Sequence, residues 1–550
     1  MTAAVTADPA SPPLPSPGAR SGRKMLVIAV IVLAAIAVRL VFFSYQSGDY
    51  SAYFAQWYAY LKGHGGFAAL KTNFANYNEP YLYLLATLTY LPVPALTGIK
   101  AMSVVFDFVL AFFAYRIVNL RYPNRWWPIL AGAIVLFLPT VVLNSSMWGQ
   151  ADAMYSAFGI GGVYFLLRKR PWLACLFFGL GFSFKLQIVF LFPLLLLLAL
   201  RRWIPWRALL AIPVVYVLLD VPALLLGASP GAVFSLYATQ AGTYDQLTLN
   251  APNVYQFLGT TTSTALRYGG IAVTGIALLA LIVPVAVKRI PLTPLRIVLA
   301  ATVSALLVPY FLPAMHERYF YLADVLTVIA AFYLPRKLWA LPILEQFASL
   351  FSYLPFLLMT GGGGRRGQFP GGGAGRAGQG GVPSLPQQGT GGLPGNAGGG
   401  TFPGRGYGGG NFGGGATGGR LGGGGTGGGF GGGAGGGGTG GGFGGGAGGG
   451  FGGGAGGGFG GRGFGGGAAS GSGGGSGTAV IPFEILAAAM LAALLLALWV
   501  TVREFRRRDS AENPFGIVSE SVKKPDAASD ADESRGDQEV EQSGQVWGSS

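Results

Sequence analysis

The sequence FSYQSGDYSAYFAQWYAYLKGHGGFAALKTNFANYNE occupies residues 43–79 and follows the first long apolar run of the chain. It is too polar to cross a bilayer, because the hydrocarbon core requires about 20 predominantly apolar residues. It is also too rich in tyrosine, tryptophan and phenylalanine to be a simple tether. We therefore predict that it forms a functional loop on one side of a membrane, with the apolar segments around it as the scaffold.

The composition indicates a protein with many membrane spans. Hydrophobic residues make up 51% of the 550 residues, charged residues 11%, and the mean hydropathy is +0.48. A soluble domain contains roughly a quarter charged residues. The net charge of +15 comes from Lys and Arg in short clusters between apolar runs, which is typical of topology signals. We therefore expect no nucleic-acid partner. The single cysteine, Cys175, excludes a disulfide within the chain.

The basic clusters predict twelve membrane spans with both termini in the cytoplasm, because Lys and Arg favour the cytoplasmic side. The predicted spans are 25–43, 99–118, 128–143, 152–167, 172–184, 187–200, 208–227, 269–287, 294–313, 319–335, 338–358 and 480–502. The apolar run 81–91 is too short to span and is predicted to be interfacial or re-entrant. We therefore expect a multi-pass protein of the cell (plasma) membrane with residues 44–98 outside.

Composition divides the chain into five regions. We predict a disordered cytoplasmic tail (1–23), a transmembrane domain (24–358), a Gly-rich extracytoplasmic segment (361–478), a final transmembrane helix (479–503) and an acidic cytoplasmic tail (504–550). The Gly-rich segment has too few large apolar residues to offset the entropy of ordering. We expect it and both tails to be disordered.

In this topology, polar residues gather on the outer side of the membrane. They are Asp49, Glu79, Trp148, Gln150, Asp152, Lys185, Asn253, His316, Glu317 and Arg318. Charged groups at the membrane are costly and tend to face a cavity or a partner. Their convergence predicts a site for a polar or anionic ligand at the lipid boundary. Without a His/Cys cluster or an Asp-x-Asp in the first loop, we predict no metal site.

Two interpretations of Asp49 remain open. It fits the N-cap of an interfacial helix that begins near Tyr50. It also fits a general base, because a carboxylate near the membrane surface can take a proton from a hydroxyl group as that group attacks. One residue can serve both roles.

The basic residues of the outer side also have alternative interpretations. His316, Glu317 and Arg318 fit an ion pair at a helix end, a phosphate-binding group or a proton relay. Lys185 fits either snorkelling to the lipid headgroups or ligand binding. Asp107 lies in the middle of a predicted span, and we expect it to form hydrogen bonds between helices, with a catalytic role as the alternative.

The order of several short motifs resembles that of the GT-C glycosyltransferases. The motifs are Gly48-Asp49-Tyr50, Asn78-Glu79-Pro80-Tyr81-Leu82-Tyr83, Trp148-Gly149-Gln150-Ala151-Asp152, Phe184-Lys185-Leu186-Gln187, Asn250-Ala251-Pro252-Asn253 and Met315-His316-Glu317-Arg318-Tyr319-Phe320. The resemblance covers roughly 25–358. It is strongest to bacterial integral-membrane mannosyltransferases related to the second GPI mannosyltransferase, and weaker to endoplasmic-reticulum glucosyltransferases that use dolichyl-phosphate glucose.

Two features depart from the family pattern. The family's usual Tyr-Pro-Pro after the first loop is replaced here by Asn78-Glu79-Pro80-Tyr81. The Gly-rich segment and the final span have no counterpart in the family.

The resemblance implies an all-α, GT-C-like fold and inverting transfer of a sugar, with mannose the expected one. The implied donor is a polyprenyl-phosphate sugar in the outer part of the membrane, and no cofactor is expected. Carried over by motif, Asp49 is the catalytic base, and Lys185, His316 and Arg318 lie near the donor phosphate. The expected pocket residues are Glu79, Trp148, Gln150, Asp152, Asn253 and Glu317. The acceptor, whether glycan, lipid or protein, is left open.

Two rival functions also fit the sequence. A secondary transporter of a polar or anionic substrate predicts broken helices and inverted repeats with a site near the midplane. A non-catalytic surface protein would use residues 361–478 as its working part.

Overall fold

The computed structural model describes residues 17–359 and 481–507, which form eighteen α-helices and very little β-structure. The helices, in chain order, are α1 (Pro17–Leu40), α2 (Ala55–Gly63), α3 (Glu79–Leu88), α4 (Ala95–Arg121), α5 (Trp127–Phe137), α6 (Pro139–Val142), α7 (Asp152–Leu167), α8 (Pro171–Phe184), α9 (Phe192–Leu200), α10 (Trp206–Leu209), α11 (Ala211–Leu225), α12 (Pro230–Gly242), α13 (Thr264–Val287), α14 (Pro294–Phe311), α15 (Tyr321–Tyr333), α16 (Pro335–Leu338), α17 (Leu341–Met359) and α18 (Phe483–Arg506).

Short 3₁₀ or π-helical turns connect several of these helices. They lie at Tyr50–Phe54, Gly66–Lys71, Leu143–Trp148, Leu186–Leu191 and Val254–Phe257. The strands β1 (Thr248–Leu249) and β2 (Met315–His316) pair in parallel. The predicted Gly-rich segment 361–478 and most of both predicted tails lie outside the described residues. Helix α1 already begins at Pro17 and α18 ends at Arg506, so helix extends into both segments predicted as tails.

Six described helices are long and apolar enough to cross a membrane, which identifies an all-α membrane protein. They are α4, the α10–α11 pair, α13, α14, α17 and α18. A seventh span results if α5 and the helical segment Pro139–Trp148, bent by 51°, are counted together. Four further apolar helices are shorter: α7, α8, Leu186–Leu200 and α15.

Helices occupy all twelve segments predicted as spans, but the number twelve is not established. The four shorter helices fall below the roughly 20 residues needed to cross the hydrocarbon core without tilt or thinning. Helix α1 carries Arg23, Lys24 and Arg39 within its last 18 residues, so it lacks an uncharged run of that length. The short helix α3 matches the expectation of a non-spanning segment after residue 78.

Helix α7 lies at the centre of the described bundle, and fourteen of its sixteen residues are buried. It packs against α4 and α8, and glycines allow the close approach to α8. A Cβ atom at Gly162 would lie 2.7 Å from the Phe178 ring. Small residues at such contacts let membrane helices approach each other closely. The last described helix, α18, packs against α14 and α17.

A buried ion pair joins α1 to α4. Arg39 Nε donates to Asp107 Oδ2 at 2.9 Å, and Ser145 Oγ donates to the same oxygen at 2.6 Å. Arg39 also donates to the carbonyl of Leu136 at 3.0 Å. Asp107 therefore bonds between helices, as the sequence predicted. The network fixes the end of α1 immediately before the loop of residues 41–49.

We expect Arg39→Ala to destabilise the protein by about 3–5 kcal/mol, because removal of one partner leaves a buried, unpaired carboxylate. Melting of the purified protein in detergent measures the effect. Arg207→Ala, which removes an exposed arginine, is the matched control and should melt like the wild type. Replacement of both Arg39 and Asp107 by leucine should recover much of the loss. If Arg39→Ala were as stable as the wild type, the buried ion pair of Arg39 and Asp107 would have no structural role.

Candidate active site

The loop before Asp49 is anchored by a buried lysine from α4. Lys100 Nζ donates to the carbonyls of Phe42 at 2.8 Å, Phe43 at 3.3 Å and Tyr45 at 2.5 Å. A cation at a helix C-terminus satisfies carbonyls that lack helical partners and opposes the negative end of the helix dipole. Lys100 therefore holds the exit of α1 in one position.

Ser47, rather than Asp49, caps the helical segment that follows. Ser47 Oγ accepts a hydrogen bond from the backbone N–H of Tyr50 at 3.1 Å and donates to the carbonyl of Trp148 at 2.7 Å. The Asp49 side chain makes no capping hydrogen bond. Of the two interpretations of Asp49, the structure thus removes the N-cap and leaves the carboxylate available for another role.

Asp49 is held through a single oxygen atom. Trp148 Nε1 donates to its Oδ2 at 2.9 Å, Gln150 Nε2 donates to the same atom, and Arg318 Nη1 lies 4.0 Å from it. No hydrogen bond to Oδ1 occurs among the described residues, and the side chain is 30% exposed. The carboxylate is therefore fixed in orientation through Oδ2, and its Oδ1 has no described hydrogen-bond partner.

Gly149, between Trp148 and Gln150, explains how both side chains reach Asp49. The π-helical turn Leu143–Trp148 ends at Gly149, whose φ of 79° is a conformation that side chains with a Cβ rarely adopt. The backbone N–H of Gln150 then donates to the carbonyl of Asn144 at 3.0 Å. This tight reversal places Trp148 and Gln150 against the same carboxylate.

A second carboxylate, Asp152, lies behind the first. Lys185 Nζ donates to its Oδ1 at 2.5 Å, and Asn144 Nδ2 donates to its Oδ2 at 2.9 Å. Arg318 Nε is 3.7 Å from Oδ2. Lys185 is only 8% exposed, so its ammonium group pairs with a buried carboxylate instead of snorkelling.

Arg318 connects the two carboxylates to a third. Its Nη1 donates to Glu317 Oε1 at 2.9 Å, and its guanidinium lies over the Trp148 ring at 5.3 Å. Burial alone would lower the pKa of Arg318, but the carboxylates of Glu317, Asp49 and Asp152 raise it well above its usual value. The guanidinium is therefore permanently charged, and its Nε has no hydrogen-bond partner in the described part of the chain.

His316 is the neutral member of this group. Burial lowers the pKa of its imidazole below the usual value, despite the opposing effect of Glu317. Burial would raise the pKa of Glu317, but the adjacent His316 and Arg318 outweigh it and lower that pKa. At pH 7 the imidazole is uncharged and Glu317 is ionised. His316 Nδ1 lies 3.6 Å from Glu317 Oε2.

A small sheet holds His316 in place. Leu249 pairs with His316 across β1 and β2, and Asn250 forms a further bridge to His316. The backbone N–H of Ala314 donates to the carbonyl of Leu247 at 2.9 Å. The loop after α12 therefore sets the position of the residues before Arg318.

Two predicted pocket residues form no hydrogen bond or ion pair with this cluster in the described structure. Asn253 is buried and accepts a hydrogen bond from the backbone N–H of Tyr255 at 3.3 Å, so it caps the 3₁₀ turn Val254–Phe257. Glu79 begins α3, and burial, together with the negative charge of Asp220, raises its pKa to about 7. Neither residue is joined to Asp49 or Arg318 by a hydrogen bond or ion pair described here.

Two tyrosines that are not among the predicted site residues lie beside this cluster. Tyr77 donates to Gln150 Oε1 at 3.4 Å, and Lys185 Nζ lies over its ring at 6.0 Å. The Tyr244 ring contacts His316 edge-on at 5.1 Å between centroids. Tyr77 had no distinguishing sequence signal, because it is one of many aromatic residues in the first loop.

Comparison with known proteins adds no identification. No protein-family model matches the chain, and no curated protein sequence matches it.

The cluster can carry out two chemical tasks. An anchored, partly exposed carboxylate can accept a proton from a hydroxyl group. A buried, charged guanidinium with an unused N–H, beside a paired ammonium, can stabilise negative charge on phosphate oxygens. The two functions lie about 4 Å apart, because that distance separates Arg318 Nη1 from Asp49 Oδ2. None of the described residues forms a group of His, Cys, Asp and Glu suited to a metal ion.

Proposed function

We propose that this protein is a glycosyltransferase of the GT-C type that transfers a sugar, mannose in the favoured version, from a polyprenyl-phosphate donor. We propose further that it has twelve spans in the cell membrane, cytoplasmic termini and an extracytoplasmic active site. The observation that carries the proposal is the orientation of Asp49. Trp148 and Gln150 hold one carboxylate oxygen, and the other oxygen has no described partner.

In this mechanism Asp49 Oδ1 takes the proton of the acceptor hydroxyl as its oxygen attacks the anomeric carbon of the sugar. The bond from the anomeric carbon to the phosphate oxygen breaks as the new glycosidic bond forms. The leaving polyprenyl phosphate gains negative charge, which Arg318 and Lys185 stabilise. Stabilisation that is greater in the transition state than in the bound substrate accelerates the reaction.

A donor linked to a lipid accounts for the position of the site. The cluster is built from loops and helix ends that connect apolar helices, so a long-chain donor reaches it without leaving the membrane. His316, neutral at pH 7, can donate a hydrogen bond from a ring nitrogen to the donor.

The test is transfer by the full-length protein in proteoliposomes from polyprenyl-phosphate mannose and polyprenyl-phosphate glucose to an envelope-glycan extract. We expect hexose addition, detected by mass analysis, with the mannose donor preferred. The envelope glycans of cells without the protein should lack the same increment. An unchanged glycan profile together with no transfer from either donor would overturn the proposal.

One observation favours the alternative of a secondary transporter. The helical segment 127–148 is bent by 51° and contains buried Asn144, Ser145 and Ser146, and interrupted helices near a polar site are typical of transporters. The same proteoliposomes distinguish the two functions. A transporter moves a labelled substrate across the membrane without a covalent sugar product.

A further inference from the structure

A large apolar cavity lies on a different part of the bundle from the Asp49 cluster. It measures about 390 Å³ and lies between α9, α13, α14 and α18. Its apolar wall includes Leu194, Leu281, Ile282, Val303 and Phe505. The volume falls within the roughly 300–1,000 Å³ typical of ligand pockets.

Helix α13 forms the outer wall of this cavity and is loosely packed. Only 17% of its spanning window is buried, against 78% for α14. A ligand that fills an apolar cavity of this size gains dispersion contacts along its whole lining. In a bilayer, hydrocarbon chains are the available material to fill it.

Two cations line the cavity, one after the C-terminal end of α13 and one at that of α18. Lys288 follows the C-terminus of α13, Arg506 ends α18, and both line the cavity and are exposed. Within the described residues, neither side chain takes part in a hydrogen bond or ion pair. The carboxylate on this turn of α18, Glu504, is already bound by Lys337 and Arg507. The positive charge of Lys288 and Arg506 is therefore available to a ligand.

A polar group also lies in the wall of this cavity. Thr501 also lines the cavity, and its hydroxyl oxygen is buried without a described hydrogen-bond partner. Burial of a hydroxyl without a partner is unfavourable. A ligand with an ester or glycerol oxygen at this depth would satisfy it.

We propose that this cavity binds an anionic glycerophospholipid. An acyl chain fills the apolar cavity, Thr501 donates to a glycerol or ester oxygen, and Lys288 and Arg506 bind the headgroup phosphate. Basic pockets between membrane helices bind acidic lipid headgroups in this way. The lipid would join α13 to α18, the helix that follows the long Gly-rich segment in the sequence. The proposal does not depend on the activity of the Asp49 cluster.

Native mass spectrometry of the full-length protein, titrated with phosphatidylglycerol or with phosphatidylcholine of identical acyl chains, tests the proposal. We expect one phosphatidylglycerol to bind with clear preference over phosphatidylcholine. The double variant Lys288→Gln, Arg506→Gln should weaken phosphatidylglycerol binding by roughly 30-fold, the effect of two juxtamembrane charges. It should weaken phosphatidylcholine binding much less, because the choline cation already offsets the charge of that phosphate.

Two further variants make the test specific. Arg168→Gln, Arg170→Gln removes the same charge from exposed positions that do not line the cavity, and it should bind lipid like the wild type. Ala300→Phe introduces a ring into the cavity wall and should abolish the preference while both cations remain. Equal binding of the two lipids by the wild type, or an equal effect of both charge variants, would overturn the proposal.

Discussion

Asp49→Asn should lower the rate of sugar transfer about 10³-fold without unfolding the protein. The amide can still accept hydrogen bonds from Trp148 and Gln150, whose contacts hold the wild-type side chain. It cannot accept the proton of the attacking hydroxyl, and general-base catalysis contributes roughly 10²–10⁴-fold to rates. The measurement is kcat for transfer from polyprenyl-phosphate mannose in proteoliposomes.

A matched control separates lost chemistry from altered surface charge. Asp245→Asn removes a carboxylate that is 94% exposed and lies 3.6 Å from Arg267, outside the cluster. We expect this variant to keep transfer within about twofold of the wild type, because single exposed ion pairs contribute little. Comparable losses in both variants, or an Asp49→Asn enzyme with near wild-type kcat, would remove Asp49 as the base.

The sequence was informative where structure follows from long local patterns. Apolar runs placed helices in all twelve segments predicted as spans, and the short run after residue 80 was separated from them by its length. The interruption within 127–148 was not predicted. The residue before a proline is biased away from the helical region, so the Leu138–Pro139 step ends α5. The π-helical turn Leu143–Trp148 includes a tertiary hydrogen bond, from Ser145 to Asp107, that no local pattern indicates.

The candidate site was partly predictable for a different reason. The predicted topology assigns polar residues to one side of the membrane, but it does not show which of them are in contact. The topology selected residues that the structure connects: Asp49, Trp148, Gln150, Asp152, Lys185 and the His316–Arg318 segment. It also selected Glu79 and Asn253, which the structure does not connect to them. Lys100 was missed, because a lysine near the start of an apolar run resembles an ordinary topology signal, and its carbonyl partners appear only once α1 and α4 pack together.

Arg318→Gln is the second change for which we expect a large loss of transfer, roughly 10²–10³-fold in kcat. Arg318 is the group that contacts the three carboxylates of the cluster, at 2.9 Å to Glu317, 3.7 Å to Asp152 and 4.0 Å to Asp49. Removal of one preorganised donor to developing negative charge typically costs that factor. Because the lost interaction strengthens as phosphate leaves, kcat and kcat/KM should fall together.

Arg318→Gln also leaves buried carboxylates without their cation, which can destabilise the protein. A second variant that keeps the positive charge separates this destabilisation from a loss of catalysis. Arg318→Lys retains a cation and should melt closer to the wild type than Arg318→Gln. A compact ammonium cannot reproduce the planar fork that reaches Glu317 and Asp152 from different nitrogens, so transfer should remain at least tenfold below the wild type. Lys71→Gln, an exposed charge change elsewhere in the first loop, should be neutral in both assays. If Arg318→Lys were fully active, positive charge alone would suffice at this position, and the oriented N–H of Arg318 Nε would have no part in binding the leaving phosphate.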